Sequence, residues 1–160
     1  MAERRAFRPD IEGLRAISVL AVVWWHAGIG WLPGGYIGVD VFFVISGYLM
    51  TSVLFREAQL HGSVSMSKFY ARRARRLLPA ALAALSGTAL LTVILLPPQR
   101  WASIGADIVA SAGYVVNWRL AGGAVDYLSQ DDPPSPLQHF WSLAVEEQFY
   151  FVWPLLICQR

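Results

Sequence analysis

The sequence predicts an all-α, polytopic integral membrane protein, a bundle of about four spanning helices with one further interfacial or re-entrant helix. The chain is 56% hydrophobic and only 15% charged, whereas soluble domains average about 25% charged residues. Its apolar residues fall in four long blocks, each near the ~20 residues that a helix needs to cross a bilayer. A helix is expected for each block because it satisfies its own backbone hydrogen bonds in lipid.

The first predicted span covers residues 14–32 and the second covers residues 36–55. His26 is the only titratable side chain in the first block after Arg15, and Asp40 is the only charged one in the second block. Polar groups inside spans are costly, and their default interpretation is functional. His26 and Asp40 are therefore candidate site residues.

The third predicted span, residues 77–96, contains no charge, and the fourth, residues 140–158, contains Glu146 and Glu147. Residues 101–118 are apolar enough for a fifth span, but they include an aspartate and many small residues. If they crossed, the acidic loop after them would face the cytoplasm, against the positive-inside rule. We therefore expect an outer-surface or re-entrant helix there.

The stretch before the fourth block has the features of a helix start. Ser135 can cap a helix, Pro136 suits the first helical position, and Gln138 completes a capping box. These residues predict that the last helix begins near Ser135.

Basic residues predict the topology. Four arginines lie in residues 1–15, and residues 56–76 hold six of the thirteen Lys and Arg residues. Lys and Arg near span ends favour the cytoplasmic side, so both segments are expected inside and the acidic stretch 97–139 outside. The prediction is a multi-pass protein of the inner (plasma) membrane with a cytoplasmic N-terminus. The net charge of +2 is too small to indicate nucleic acid binding.

Arg15 and His26 share one face of the first predicted helix. They are eleven residues apart, which separates them by about 16 Å along the axis. The short turn between the first two spans is expected to place Asp40 at a depth similar to His26. A carboxylate near an imidazole fixes its tautomer and raises its basicity, as a general base requires. A histidine that only hydrogen-bonds a neighbouring helix and an aspartate that only caps the second helix stay open as alternatives.

A second candidate face lies on the fourth block. Its side chains recur at helical spacing, while Glu147 points about 100° away from them; they are His139, Ser142, Glu146 and Tyr150. The two carboxylates could instead line a polar bundle interior without reacting.

Four arginines precede the third span: Arg72, Arg73, Arg75 and Arg76. Arginine forks match phosphate oxygens, so the cluster is either a phosphate clamp or a positive-inside anchor. A basic patch inside and a general-base candidate toward the outside suit the transfer of a group from a cytoplasmic phosphorylated donor to an outer acceptor.

Four segments resemble the membrane acyltransferase-3 family, the O-acetylase-like proteins of bacterial envelopes. They are "FRPDIEGLRAISVLAVVWWH" (7–26), "GGYIGVDVFFVISGYL" (34–49), "FYARRARRLLPA" (69–80) and "SPLQHFWSLAVEEQFYFVWP" (135–154). The resemblance implies a domain of about ten transmembrane helices, of which residues 1–160 would be a truncated N-terminal portion. It also implies transfer of an acyl group, usually acetyl from acetyl-CoA, to an envelope carbohydrate such as lipopolysaccharide, peptidoglycan or exopolysaccharide. No bound cofactor and no metal are expected, and the partners are the lipid bilayer, the acyl-CoA donor and the carbohydrate acceptor.

The resemblance also implies roles for particular residues. His26 matches the histidine most tied to acyl transfer, and Asp40 and Glu146 are expected to assist it. The residues expected to handle acyl-CoA are Arg15, Arg73 and Arg76, while His139, Ser142, Glu147 and Tyr150 are expected to support the site. Two other classes of protein stay open: a transporter fragment with a proton relay, and an inactive membrane partner of another chain.

Overall fold

The computed structural model describes residues 8–28, 33–124 and 133–157. Six α-helices and two short 3₁₀ turns form within these residues, and no strand occurs among them. The helices are α1 (Pro9–His26), α2 (Gly38–His61), α3 (Met66–Leu95), α4 (Trp101–Ala112), α5 (Val116–Ala124) and α6 (Phe140–Ile157). The predicted all-α class is therefore confirmed.

The chain divides into two compact units, Met1–Leu60 and His61–Arg160. The first unit holds α1, the 3₁₀ turn Gly35–Ile37 and nearly all of α2. The second unit holds α3 to α6 and the 3₁₀ turn Pro98–Arg100.

Helix α1 begins before the first predicted span because residues 9–13 are themselves suited to a helix start. Pro9 occupies the first helical position, and Asp10 and Glu12 place negative charge in the first turn, where it complements the helix dipole. The helix ends at His26, after which Gly28 adopts a positive φ of 70° and donates its N–H to the carbonyl of Trp25. The end of the predicted span, residues 29–32, lies outside the described residues.

Two glycines allow the first residue of α2 and the 3₁₀ turn before it to pack against the backbone of α1. A Cβ at Gly35 would overlap the carbonyl oxygen of Ala21, and a Cβ at Gly38 would overlap that of Ser18. Gly34 is exposed, and a Cβ there would only touch Ile37 at 3.7 Å. Close packing, which small residues permit, therefore uses Gly35 and Gly38.

Helices α2 and α3 supply the two candidate membrane spans among the described residues, over Gly35–His61 and Met66–Leu95. Helix α3 starts well before the predicted span 77–96 because the preceding residues are mostly Met, Lys, Ala and Arg, which are good helix formers. Helices α1 and α6 each have 18 residues and carry charged side chains. A membrane protein is supported, and the count of about four spans stays a prediction.

Residues 101–118 do not form one helix. Helix α4 ends at Ala112 and α5 begins at Val116, and between them Tyr114 has a positive φ of 53°. Helix α4 has 12 residues, which covers about 18 Å, whereas the hydrocarbon core is about 30 Å thick. Helix α4 is therefore too short to cross as a straight helix, and the surface or re-entrant placement of the segment stays a prediction.

Helix α6 begins at Phe140 and not near Ser135. Ser135 Oγ accepts the N–H of Leu137 at 3.2 Å, but this bond closes a turn and does not cap α6, so the predicted capping box is wrong. Residues 136–139 form turns rather than the first turn of the α-helix. Leu137 is buried, which anchors this turn to the second unit.

Candidate active site

His26 is the last residue of α1, and a hydrogen bond of its ring identifies the tautomer. Nδ1 lies 2.8 Å from the carbonyl oxygen of Val22. A carbonyl oxygen can only accept, so Nδ1 donates and the lone pair of the neutral ring sits on Nε2. The Trp25 ring meets the imidazole edge to face at 4.7 Å between centroids. His26 is exposed, so its imidazole suits proton abstraction or nucleophilic attack through Nε2.

Asp40 does not lie at the depth of His26. Gly35 packs beside Ala21 and Gly38 packs beside Ser18, so α2 runs antiparallel to α1 and Asp40 falls near the level of Ala16. That level is ten residues from His26, or about 15 Å along the helix axis. The expected partnership is therefore corrected: Asp40 lies in the first turn of α2, where its charge complements the helix dipole.

Arg15 lies at the other end of α1 from His26, beside an open hollow. Its guanidinium pairs with Glu12 at 3.2 Å and sits 5.3 Å from the ring centroid of Phe42. The hollow has a volume of about 450 Å³, and Glu12, Arg15, Ala16, Val19, Leu20 and Phe42 line it. A cation beside an accessible hollow can bind an anionic group, although Glu12 partly compensates its charge.

In the second unit, Arg73 of α3 is held by two residues of α6. Its Nη2 donates to Glu147 Oε1, and both side chains are mostly buried, with 22% and 17% of their surface exposed. The guanidinium carbon also lies 3.2 Å from the ring centroid of Tyr150, which is itself buried. The ion pair and the cation–π contact together fix α3 against α6.

The arginine cluster is therefore split between two environments. Arg73 is part-buried and its charge is compensated by Glu147. Arg72, Arg75 and Arg76 are exposed on the same helix. The structure does not present Arg73 and Arg76 as an equivalent pair, and the exposed arginines are the ones accessible to a phosphate.

A cavity of about 450 Å³ lies beside the Arg73–Glu147 pair. Its walls are mostly apolar and aromatic, and the lining includes Tyr70, Leu77, Leu78, Tyr114, Tyr150 and Phe151. The Tyr70 hydroxyl donates to the carbonyl of Phe151 at 2.9 Å. Burial raises the pKa of the Tyr114 hydroxyl, Glu147 raises it further, and Arg73 acts in the opposite direction.

Gln148 ties α6 to the turn between α4 and α5. Its Nε2 donates to the Tyr114 carbonyl at 2.7 Å and to Asn117 Oδ1 at 2.8 Å. We did not expect Tyr70, Tyr114, Asn117 or Gln148 from the sequence. The amide of Gln148 inside an apolar block was the one available signal, since a polar group there needs a partner.

The α6 side chains that act together differ from those predicted to share a face. Glu147, and not Glu146, turns toward Arg73, and Tyr150 joins it because residues three apart are neighbours on a helix. Ser142 donates to the carbonyl of His139 at 3.2 Å, and His139 lies exposed in the turn before α6. Glu147 is thus the carboxylate that contacts Arg73, and the choice of Glu146 as the site carboxylate stays a prediction.

A further ion pair joins α4 to α5. Arg119 Nε donates to Asp107 Oδ1 at 2.6 Å, and the Asp107 side chain is only 7% exposed. The aspartate that interrupted the apolar segment 101–118 is thus satisfied within the second unit. Its role is structural, because the pair links two short helices and lines neither of the cavities described above.

Comparison with known proteins shows one family and several relatives. A family model described as "Acyltransferase domain" matches residues 8–159. Peptidoglycan O-acetyltransferase OatA of Listeria monocytogenes is 40% identical over 96% of this chain and 24% of its own length. YrhL of Bacillus subtilis, named as a candidate peptidoglycan O-acetyltransferase, is 39% identical over 97% of this chain and 24% of its own length.

A Staphylococcus aureus protein named as a candidate O-acetyltransferase is 43% identical over 97% of this chain and 25% of its own length. The chain thus spans about a quarter of the length of the curated relatives it matches. No solved structure matches it.

Proposed function

The chain belongs to the acyltransferase family whose domain model it matches over residues 8–159, and from that premise we propose that it is part of an envelope O-acetyltransferase. The proposed reaction transfers an acetyl group to a hydroxyl of a cell-envelope carbohydrate. Peptidoglycan is the favoured acceptor, because the Listeria relative is named as a peptidoglycan O-acetyltransferase. Two helices with the length and composition of membrane spans support a membrane location.

His26 is the proposed acid–base residue, and its hydrogen bond to Val22 is the observation on which this assignment depends. With Nδ1–H held by a carbonyl, Nε2 is the nitrogen that takes the proton of the acceptor hydroxyl. The oxygen then attacks the acyl carbonyl of the thioester donor, the C–S bond breaks, and Nε2 gives the proton it has taken to the departing thiolate. A covalent acyl-histidine would form at the same nitrogen, since only Nε2 carries a lone pair in this tautomer.

Acyl-CoA is the proposed donor, with acetyl-CoA as the main form. The exposed cations near the start of α3 support this choice: Lys68, Arg75 and Arg76. Guanidinium groups bind phosphate oxygens through paired, charge-assisted hydrogen bonds. Arg15 is a second candidate cation beside its own hollow. We assign Arg73 the role of holding α3 to α6, because Glu147 already compensates its charge.

The proposed location is the inner (plasma) membrane, with the N-terminus in the cytoplasm. Four arginines precede residue 16, and six of the thirteen Lys and Arg residues lie in residues 56–76. The positive-inside rule then places the α2–α3 connection and the phosphate-binding cations on the side where acyl-CoA is made.

The test compares His26→Asn with His26→Ala in the full-length protein in bacterial membranes. An asparagine amide can still donate to the Val22 carbonyl but has no basic nitrogen, so both variants should lose O-acetylation by about a hundredfold or more. Membrane insertion should be unchanged, and His61→Asn at the exposed end of α2 is the matched control. Retained activity in His26→Asn would overturn the assignment. Acetyl-CoA-independent proton flux in liposomes would support the transporter alternative instead.

A further inference from the structure

The last turn of α1, which carries His26, is shaped by the four residues that lead into α2. This segment, Gly35–Gly38, reads Gly-Tyr-Ile-Gly, and both of its glycines are buried. A Cβ at Gly38 would come within 2.9 Å of Val22 Cγ2, and a Cβ at Gly35 within 2.8 Å of Trp25 Cβ. Real Cβ atoms do not approach so closely, so either side chain would force the two backbones apart.

Two of the α1 residues that these glycines approach, Val22 and Trp25, also contact the imidazole. Val22 supplies the carbonyl oxygen that accepts the Nδ1–H of His26 at 2.8 Å. Trp25 sets its ring edge to face against the imidazole at 4.7 Å. Tyr36, which lies between the two glycines, also contacts Trp25. The centroids of the two rings are 5.8 Å apart, and the ring planes are inclined by 69°.

We propose that the Gly35–Gly38 segment is the positioning element for His26, and that it keeps the ring in the Nδ1–H tautomer with the lone pair on Nε2. The effect of this segment on catalysis rests on the proposed function, whereas its effect on the His26 tautomer does not. The contact runs from Gly38 to Val22 and from Gly35 and Tyr36 to Trp25. Gly35, Tyr36 and Gly38 act through these residues and touch no reacting atom.

The physical reason for glycine here is the closeness of the two backbones. At Gly35 and Gly38 the atoms nearest to a Cβ are main-chain carbonyl oxygens of α1. A side chain can change its rotamer, but a helix carbonyl cannot move without disturbing its own hydrogen bond. Alanine at either position must therefore push the Gly35–Gly38 segment and α1 apart, which alters the surroundings of Val22 and Trp25. A displacement of about 1 Å at a catalytic group costs about a hundredfold in rate.

Gly34 provides a matched control because it adjoins Gly35 in the chain. A Cβ at Gly34 would meet only Ile37 Cδ1 at 3.7 Å, an ordinary contact, and its φ of −96° suits alanine. Gly34→Ala and Gly35→Ala therefore add the same methyl group one residue apart, and only the second disturbs α1.

The experiment measures the tautomer of His26 directly, in full-length protein labelled with ¹⁵N-histidine and held in nanodiscs. The His26 signals are identified by their loss in His26→Asn. Wild type and Gly34→Ala should show protonated Nδ1 and unprotonated Nε2 at neutral pH, whereas Gly35→Ala and Gly38→Ala should show a mixture of tautomers. Their kcat should fall about a hundredfold, with KM for acetyl-CoA changed less than about twofold.

Tyr36→Leu keeps both glycines and removes only the ring contact with Trp25, so it tests the proposal if the alanine variants do not reach the membrane. It should give a mixture of His26 tautomers while the yield in the membrane fraction stays at the wild-type level. An unchanged tautomer in Tyr36→Leu and in the folded alanine variants would overturn the proposal, as would an equal shift in Gly34→Ala. Because the tautomer is read without turnover, retained activity in His26→Asn would remove the proposed function and leave this result standing.

Discussion

Arg73 and Glu147 form a part-buried ion pair between α3 and α6, although they are 74 residues apart in the chain. The Tyr150 ring closes the other side of the guanidinium at 3.2 Å. Of the two adjacent glutamates, Glu147 forms this ion pair and Glu146 does not. It also makes Arg73 a structural residue of the second unit, unlike its exposed neighbours.

Arg73→Ala should lower the free energy of unfolding by about 2–3 kcal/mol, because it leaves the Glu147 carboxylate buried without its counterion. Arg75→Ala, on the exposed side of α3, should change stability by less than about 0.5 kcal/mol. Thermal and denaturant unfolding in detergent measures both. Equal losses in the two variants would show that the Arg73–Glu147 pair contributes no specific stability.

Arg119→Ala should destabilise the second unit more than Asp107→Asn does. The first substitution leaves a carboxylate that is 7% exposed, whereas the second leaves a guanidinium that is 44% exposed and can reach water. We expect the two variants to differ by about 1–2 kcal/mol in free energy of unfolding. The reverse order, measured under the same conditions, would contradict the burial argument.

The start of α1 should lose stability in acid, because Asp10 becomes protonated. The Arg8 guanidinium, 2.7 Å away, lowers the pKa of the Asp10 carboxyl to about 2. Because the folded pKa lies below the unfolded value, the stabilisation is complete above about pH 4 and is lost as the pH falls through about 2. Arg8→Gln should return the midpoint to about 3.9, and ¹³C NMR of labelled aspartate measures it. Arg56→Gln is the control and should leave the Asp10 midpoint near 2.

Asp40→Asn should leave the acid–base function of His26 nearly intact. About 15 Å of helix separates their levels, which exceeds the Debye length of about 8 Å at physiological ionic strength. Activity should therefore change by less than about threefold, while stability falls by about 0.3–1 kcal/mol through the lost dipole interaction. A loss of activity as large as in His26→Asn would show that the two residues work together after all.

Arg76→Gln should weaken the binding of acetyl-CoA without affecting the chemical step. Removing one charge-assisted hydrogen bond to a phosphate should raise KM about tenfold, with kcat nearly constant. Arg56→Gln removes an exposed cation from α2 and is the control. Steady-state kinetics with varied acetyl-CoA distinguishes them, and an unchanged KM in Arg76→Gln would exclude this arginine from donor binding.

Helices were predictable wherever one local pattern persisted over enough residues. The apolar block at 140–158 matches α6 over Phe140–Ile157, because burial and backbone satisfaction act along the whole block. Boundaries were harder to predict. Residues 66–76 joined α3 because their side chains favour a helix even where they are charged, and 101–118 broke into two helices at a left-handed Tyr114.

The relative positions of two side chains could be predicted only where both residues lie on the same helix. Arg15 and His26 are both on α1, as their spacing indicated. The partnership of His26 with Asp40 failed, because it depends on how far one helix slides along another. Gly35 and Gly38 set that register, and neither hydropathy nor spacing measures it.

By itself, then, the sequence determined that the chain is helical, that it contains membrane-type segments, and that His26, the arginine cluster and the paired glutamates are its chemically notable groups. These are local properties of composition and helical period. Only the tertiary structure decided that Glu147 faces Arg73, that Asp107 pairs with Arg119, and that Gly35 and Gly38 pack against α1. All three depend on which faces of different elements meet, and no local pattern in the sequence specifies that.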